Sequence, residues 1–313
     1  MEIQRLAPEK FQHPEVTAKG EERALVGLTR LHTLWINTGS LCNLTCQGCY
    51  IESSPTNDRL AYITLDEVIP YLDEIERDGL AVEEIGFTGG EPFMNPAFPE
   101  ILKTCLERGF SILVLTNAMK PLINKQQSLL ALKDAYADKM TFRVSIDHYK
   151  QERHEELRGK KSWEPMLGGV KWLVENGFRV AVAGRSHWHE PEESVRDGYR
   201  ALFDVYQIPV DANDPTALVL FPEMDETTDV PEITVSCWAI LGVSPEAMMC
   251  ATSRMVIRRK DDDGPVVMPC TLLPYDERFE MGRDLAASSK SVRLNHPHCA
   301  KFCVLGGGSC SAT

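Results

Sequence analysis

Short apolar runs alternate with longer amphipathic stretches over residues 32–221. The clearest amphipathic stretch has apolar residues from Leu65 to Ile75 at the i, i+3, i+4 spacing of one helix face, and it ends at Gly79, which suits a helix C-cap. This alternation predicts repeated strand–helix units around a parallel sheet. The predicted strands are His32–Asn37, Glu84–Thr88, Ser111–Thr116, Met140–Ile146, Arg179–Ala183 and Ala217–Phe221. Further helices are predicted at Pro99–Arg108, Gln126–Tyr136, Trp163–Asn176 and Glu192–Tyr206.

The expected fold class is α/β. Six such units suit a partial (β/α)6 TIM-like barrel or a doubly wound sheet. Both architectures bind ligands at the carboxyl ends of the strands, so the loops after the strands are where chemistry is expected. We divide the chain into a lead-in at 1–31, the barrel at 32–221 and a small cysteine-rich domain at 222–313.

The last part of the chain has a different pattern. After residue 222 the alternation stops, and prolines, acidic residues and cysteines become more frequent. Arg254–Arg259 and Pro265–Pro269 flank an Asp-Gly turn, which predicts a β-hairpin. Folding of this hairpin would bring Cys250 and Cys270 together.

Composition narrows the function classes. A chain with 43% apolar and 25% charged residues is typical of a folded globular protein. The net charge of −13 disfavours nucleic acid and anionic lipid as partners. No apolar run reaches the roughly 20 residues that span a bilayer, and the first residues lack the apolar core of a signal peptide, so we expect no membrane association and a cytoplasmic location.

The ten cysteines are too few for a disulfide scaffold, and they are clustered. The first group, Cys42, Cys46 and Cys49, follows the first predicted strand with the spacing C-x3-C-x2-C. Three thiolates on one loop suit a soft metal or an iron–sulfur cluster with one open position, whereas a structural zinc site needs four ligands. A zinc loop completed by a distant residue is the alternative.

This cysteine spacing resembles that of the radical S-adenosylmethionine (radical SAM) enzymes. The second predicted strand runs into Gly89-Gly90-Glu91-Pro92, which is similar to the GGEP motif of that family, and the fourth ends in Ser145-Ile146-Asp147, which resembles its ribose-binding position. The resemblance implies that the three cysteines hold a [4Fe–4S] cluster whose open iron binds S-adenosylmethionine (SAM). Reductive cleavage of SAM would then give a 5′-deoxyadenosyl radical that abstracts hydrogen from a substrate.

The resemblance also implies roles for single residues. The loop of Gly89 and Gly90 would let its backbone approach the ligand, and Glu91 would accept from the methionyl ammonium. The family usually has an aromatic residue before the third cysteine, but this chain has Gly48 there and Tyr50 one place after that cysteine. The cofactor-binding residues expected in full are Tyr50, Gly89, Gly90, Glu91, Pro92, Asn117, Ser145, Asp147 and Arg185, with Arg185 contacting the cofactor carboxylate or the substrate.

The second cysteine group lies after the barrel. Its layout is similar to the SPASM and Twitch extensions of radical SAM enzymes, which implies an auxiliary [4Fe–4S] cluster, with structural zinc as the alternative. The candidate ligands are Cys250, Cys270, Cys299 and Cys303, with Cys310 as a possible substitute, and His296 and His298 flank them. Cys105 and Cys237 are expected to pack as apolar residues.

The expected function is therefore radical SAM catalysis on a small molecule, as oxidation or rearrangement. A maturase that modifies a peptide or protein is the alternative, although about 30 residues before the barrel leave no room for a leader-recognition domain. A flavodoxin or ferredoxin would supply the electron. A non-catalytic metal-binding protein is a third hypothesis, which the intact GGEP motif disfavours.

Overall fold

The computed structural model describes residues 5–223 and 225–308. The strands are β1 (Leu25–Val26), β2 (Thr33–Asn37), β3 (Glu84–Thr88), β4 (Ser111–Thr116), β5 (Met140–Ser145), β6 (Arg179–Arg185), β7 (Leu218–Phe221), β8 (Ser253–Ile257), β9 (Val266–Met268) and β10 (Val292–Arg293). The helices are α1 (Leu65–Asp78), α2 (Phe98–Glu107), α3 (Lys120–Ile123), α4 (Gln126–Tyr136), α5 (Gln151–Arg158), α6 (Trp163–Glu175), α7 (Glu192–Tyr206) and α8 (Cys237–Leu241). In these ranges no helix has both the length and the apolar character needed to cross a membrane.

The main sheet has the strand order β7-β6-β5-β4-β3-β2-β8-β9. Strands β2 to β7 are parallel to their neighbours and follow one another in chain order. A doubly wound sheet would reverse its strand order in the middle, so this arrangement is that of an incomplete barrel. The mixed α/β fold with a parallel sheet is confirmed, and the doubly wound alternative is wrong.

The predicted hairpin is present as β8 and β9, which pair antiparallel with Val256 opposite Val267. β8 also pairs parallel with β2, with Trp35 opposite Met255. The hairpin therefore continues the barrel sheet beside the first barrel strand, and residues from both ends of the chain share one sheet.

Helix α1 illustrates how local sequence sets the elements. The Thr64 side chain accepts from the Glu67 amide, and the Glu67 carboxylate accepts from the Thr64 amide, which together form a capping box. Gly79 ends the helix with a φ of 61°, a left-handed conformation that glycine adopts without steric cost.

The two faces of the sheet belong to different cores. Ile36, Ile85 and Val114 point outward and pack with the buried faces of the helices, whereas Trp35 and Leu113 point inward with residues of the C-terminal segment. A Cβ at Gly86 would lie 2.5 Å from the Trp35 ring, so glycine there admits the indole into the barrel. The C-terminal segment therefore fills one side of the barrel interior.

Candidate functional site

A cavity opens at the carboxyl ends of the barrel strands. Ten of the residues expected from the sequence line it: Cys42, Cys46, Cys49, Tyr50, Gly89, Gly90, Asn117, Ser145, Asp147 and Arg185. The fold thus brings together residues from the ends of five strands, spread over more than a hundred positions of the chain. Neither Glu91 nor Pro92 is among the described residues that line this cavity.

The loop after β2 presents its three thiols to this cavity. The amide of Cys42 donates to the Ser54 carbonyl at 3.0 Å, and the Asn117 amide nitrogen lies 3.9 Å from the Cys42 sulfur. Burial raises the pKa of the Cys42 thiol to about 12 and also raises the pKa of Cys46. Buried thiols of this kind ionise when a cation binds them, so the donor set fits a thiophilic metal or cluster.

Gly89 and Gly90 are required by the packing of two loops. A Cβ at Gly90 would lie 2.1 Å from the Leu41 carbonyl oxygen, and one at Gly89 would lie 2.5 Å from the Gly39 carbonyl oxygen. The Gly90 amide donates to Gly39 and the Glu91 amide donates to Leu41. The double glycine therefore fixes the β3 loop against the cysteine loop, while the same backbone still borders the cavity.

The Glu91 carboxylate is hydrogen-bonded within the protein. Its carboxylate accepts from the Thr116 hydroxyl and the Asn117 amide, both at 2.8 Å, and caps the turn at Phe93. The side chain is buried, which raises its pKa to about 7. Glu91 therefore ties the end of β3 to the end of β4, which carries Asn117, and its contact with an ammonium group stays a prediction.

Asp147 follows β5, and its carboxylate accepts two hydrogen bonds from Arg158, at 2.7 and 3.1 Å. Arg158 ends helix α5, whose carbonyl at Leu157 accepts from the Gln47 amide of the cysteine loop. Burial would lower the pKa of Arg158, but Asp147 and the Cys46 thiol raise it well above its ordinary value.

Arg158 lines the cavity although it is not among the site residues expected from the sequence. The signal that could have found it is the acidic residue eleven positions earlier at a strand end.

Arg185 lies at the end of β6 beside the cysteine loop. Its guanidinium donates to the Gln47 carbonyl at 2.8 Å and pairs with Glu223 at 3.0 Å. A Cβ at Gly48 would lie 2.8 Å from a guanidinium nitrogen of Arg185. Glycine before the third cysteine thus makes room for this arginine. On the other side of that cysteine, the Tyr50 hydroxyl lies 3.5 Å from the Thr88 hydroxyl.

The far side of the cavity is mostly apolar. Leu115, Phe221, Leu272 and Phe302 line it, with the Phe221 and Phe302 ring centroids 5.4 Å apart. Arg143 adds a guanidinium on the inner face of β5 and donates to the Thr216 carbonyl at 3.2 Å. Phe302 belongs to a π-helical turn at Cys299–Val304, so the C-terminal segment closes the cavity.

A second, smaller cavity lies behind this wall, and we call it the four-cysteine cavity because Cys250, Cys270, Cys299 and Cys303 line it. Its other lining residues are mainly apolar, and Leu272 borders both cavities. Burial raises the pKa of Cys250 to about 11 and that of Cys299 to about 12. The hairpin and the π-helical turn therefore bring four thiols to one cavity, a donor set of the kind that binds zinc or an iron–sulfur cluster.

The remaining cysteines differ in setting. Cys105 is buried on α2, as expected for a packing residue. Cys237 is only half-buried at the start of α8, where its sulfur accepts from the Thr234 amide at 3.3 Å. Cys310 lies outside the described residues.

His296 and His298 are buried beside the four-cysteine cavity, and with Glu226 they bring their donor atoms within 4.8 Å of one another. The Nδ1 atom of His296 accepts from the His298 amide at 3.1 Å, so in the neutral ring the proton sits on Nε2, facing Glu226 at 3.4 Å. The Nε2 atom of His298 lies 3.9 Å from the same Glu226 carboxylate, and His298 also lines the four-cysteine cavity.

Comparison with known proteins adds independent findings. The family model described as the Radical SAM superfamily matches residues 36–196, just over half of the chain. The antilisterial bacteriocin subtilosin biosynthesis protein AlbA of Bacillus subtilis is 32% identical over 163 residues, which is 50% of this chain and 35% of AlbA. The molybdenum cofactor biosynthesis protein 1 of Drosophila melanogaster is 29% identical over 157 residues, which is 49% of this chain and 26% of that protein.

Among solved structures, Streptococcus suis SuiB bound to S-adenosylmethionine superposes with a TM-score of 0.58 at 14% identity, covering 83% of this chain and 64% of SuiB. At this identity the likeness shows the fold alone. The chain spans only about a third of AlbA and a quarter of the Drosophila protein.

Proposed function

The chain belongs to the radical SAM superfamily, and we propose that it is an enzyme that cleaves SAM reductively at the cavity above the barrel strands. The observation that carries this proposal is that three thiols of one loop, and no fourth among the described lining residues, open onto a cavity bordered by the ends of β3, β4, β5, β6 and β7. Three protein ligands leave one position for a bound substrate, whereas a closed zinc site uses four.

Cys42, Cys46 and Cys49 would hold a [4Fe–4S] cluster at this loop. When bound, that cluster supplies the electron that cleaves SAM to methionine and the 5′-deoxyadenosyl radical, which abstracts a hydrogen atom from the substrate. The chain's own residues keep the loop in position: the Arg158 charge favours the thiolate of Cys46, and Gly90 fits the neighbouring loop against it.

The other strand ends would orient SAM. The backbone at Gly89 and Gly90 borders the position proposed for the methionyl group, and Ser145 and Asp147 that for the ribose. Two of the carboxylate acceptor sites of Asp147 are used by Arg158, which leaves the others for hydroxyl groups. Tyr50 and Arg185 complete the proposed cofactor end, and Asn117 borders the cluster loop.

The apolar side of the cavity would hold the substrate and exclude water from the radical. We propose a small molecule as the substrate, which an enclosed wall of Leu115, Phe221 and Phe302 suits. A peptide is the second candidate, because AlbA, which is named for bacteriocin biosynthesis, is 32% identical to this chain over half its length. A flavodoxin or ferredoxin would be the electron donor in either case.

We further propose that the four-cysteine cavity holds an auxiliary [4Fe–4S] cluster on Cys250, Cys270, Cys299 and Cys303. Four thiols in an apolar cavity that shares Leu272 with the first support this site. Zinc is the competing occupant, since four thiolates suit it equally well.

Anaerobic reconstitution tests both sites. We expect about eight iron atoms per chain, and 5′-deoxyadenosine and methionine after addition of SAM and dithionite. Cys46→Ala should abolish cleavage and leave about four iron atoms, whereas Cys237→Ala is the matched control and should change neither reading. A protein that binds only zinc, or cleavage that survives in Cys46→Ala, would overturn the proposal.

The substrate class is tested with perdeuterated candidates. Deuterium in the 5′-deoxyadenosine identifies the molecule that donates hydrogen. Label transferred from a peptide and not from small molecules would select the second candidate.

A further inference from the structure

Arg254 lies on β8 and is completely buried, with 0% of its surface exposed. Its guanidinium donates to four backbone carbonyls: Cys250 at 2.6 Å, Ser253 at 2.7 Å, Ser288 at 2.7 Å and Lys290 at 3.2 Å. All four of these hydrogen bonds are therefore made to the main chain. One of these carbonyls belongs to Cys250, a residue of the four-cysteine cavity.

No carboxylate of residues 5–223 and 225–308 lies within 4.0 Å of the Arg254 guanidinium, whereas Arg23 and Arg158 each pair with one. Arg23, which is equally buried, pairs with Glu232 at 2.5 Å, and Arg158 pairs with Asp147 at 2.7 Å. Carbonyl dipoles satisfy N–H groups but do not neutralise a net charge, and a buried charge without a counter-charge is costly. The folded protein therefore holds a cation whose counter-charge must come from somewhere other than a nearby acid.

The four-cysteine cavity supplies that counter-charge when its thiols ionise. The Arg254 guanidinium donates to the Cys250 carbonyl at 2.6 Å, and Cys250 and Cys270 both line this cavity, so the charge lies beside the site. Four thiolates around a [4Fe–4S] cluster in its oxidised form carry a net double negative charge.

We propose that Arg254 is the built-in counter-charge of the four-cysteine site, and that it raises the reduction potential of the cluster bound there. This inference rests on the proposed auxiliary cluster. Reduction with dithionite adds one electron to the loaded site and takes it from a dianion to a trianion, with no bond formed or broken and no proton moved. A fixed cation in a region of low dielectric constant favours the more negative state.

The test measures the midpoint potential of the auxiliary cluster by EPR during a redox titration. The Cys46→Ala background removes the first cluster, so that only the four-cysteine site contributes a signal. Into this background we place Arg254→Gln, which keeps hydrogen-bond donors but loses the charge, and Arg254→Lys, which keeps the charge. Arg258→Gln is the matched control, because Arg258 follows the same strand but is neutralised by Glu67 at 2.7 Å.

At the potential that is the midpoint of the parent protein, we expect the ratio of reduced to oxidised cluster in Arg254→Gln to be about tenfold lower. This corresponds to a midpoint potential that is about 59 mV more negative than that of the parent. Arg254→Lys and Arg258→Gln should keep the parent midpoint. An unchanged midpoint in iron-loaded Arg254→Gln would overturn the inference.

Arg254→Lys keeps the inference testable where Arg254→Gln holds too little iron to titrate. A midpoint equal to that of the parent supports the charge as the cause, whereas a negative shift in Arg254→Lys points to lost packing and overturns it. The iron content of the Cys46→Ala parent separately tests the proposed function, since a parent that binds zinc and no iron would refute the auxiliary cluster before Arg254 is changed.

Discussion

Two adjacent glycines in α6 should respond in opposite ways to the same substitution. Gly168 is exposed, and a Cβ built on it meets no heavy atom within 4 Å. Gly169 is buried, and its Cβ would lie 1.7 Å from the carbonyl oxygen of Ala118 and 2.7 Å from the carbonyl carbon. Because the obstacle at Gly169 is backbone, either the helix or the loop after β4 must move.

The magnitudes follow from these settings. Gly168→Ala gains the helix preference of alanine and should stabilise the protein by about 0.5–1 kcal/mol. Gly169→Ala gains the same preference but overpacks the contact with Ala118, a strain that typically costs about 1–3 kcal/mol. We therefore expect the two variants to differ in free energy of unfolding by roughly 1–3 kcal/mol, with Gly169→Ala the less stable.

Urea unfolding of the metal-free protein, followed by circular dichroism, measures this difference. A second reading is SAM cleavage by the reconstituted enzyme, because Ala118 follows Asn117, whose side chain donates to Asn43 in the cysteine loop at 2.9 Å. Gly169→Ala should lower cleavage, and Gly168→Ala should not. Equal stability of the two variants would refute the packing argument.

Three further predictions concern charge and capping. Burial lowers the pKa of His154 from 6.5 to about 4. The free energy of unfolding is therefore unaffected by this group above pH 6.5 and falls by about 3 kcal/mol as the pH drops towards 4. His154→Gln should lack this loss when unfolding is measured against pH, and the same pH dependence in variant and parent would contradict the prediction. Arg158→Gln should raise the pKa of the Cys46 thiol, and Asp147→Asn should lower it. The pH dependence of Cys46 alkylation in the metal-free protein measures both shifts. Shifts of the same sign in the two variants would contradict the electrostatic argument. Thr64→Ala removes the capping box of α1 and should cost about 1 kcal/mol in unfolding free energy without changing SAM cleavage, so an unaltered stability would show that the cap contributes nothing.

Much of the barrel was predictable because its signals are local. Apolar runs predicted β2 to β7 within a few residues, and the periodicity of α1 was sufficient to bound that helix. Helix α5 was not predicted, since its sequence is strongly polar and only His154 and Leu157 on it are buried. A helix whose buried face consists of two residues leaves no period to detect.

The same distinction between local and distant signals applies to the residues of the site. The cysteine spacing and the double glycine are visible in the sequence, and the fold brings both motifs to one cavity. The tasks of individual side chains were less predictable, because they depend on partners that are distant in the chain. The Glu91 carboxylate accepts hydrogen bonds from Thr116 and Asn117, and the Arg185 guanidinium packs against Gly48. The local sequence reveals neither of these contacts.

The pairing of β8 with β2 has a consequence for how the chain can be divided. All five residues of β2 are buried, and β8 provides the hydrogen-bond partner on one side of this strand. A protein shortened to end at residue 221 would leave the apolar strand β2 with an open edge, which is a template for pairing with other chains. We expect such a fragment to self-associate, and the three-cysteine loop that begins where β2 ends would lose its support with it.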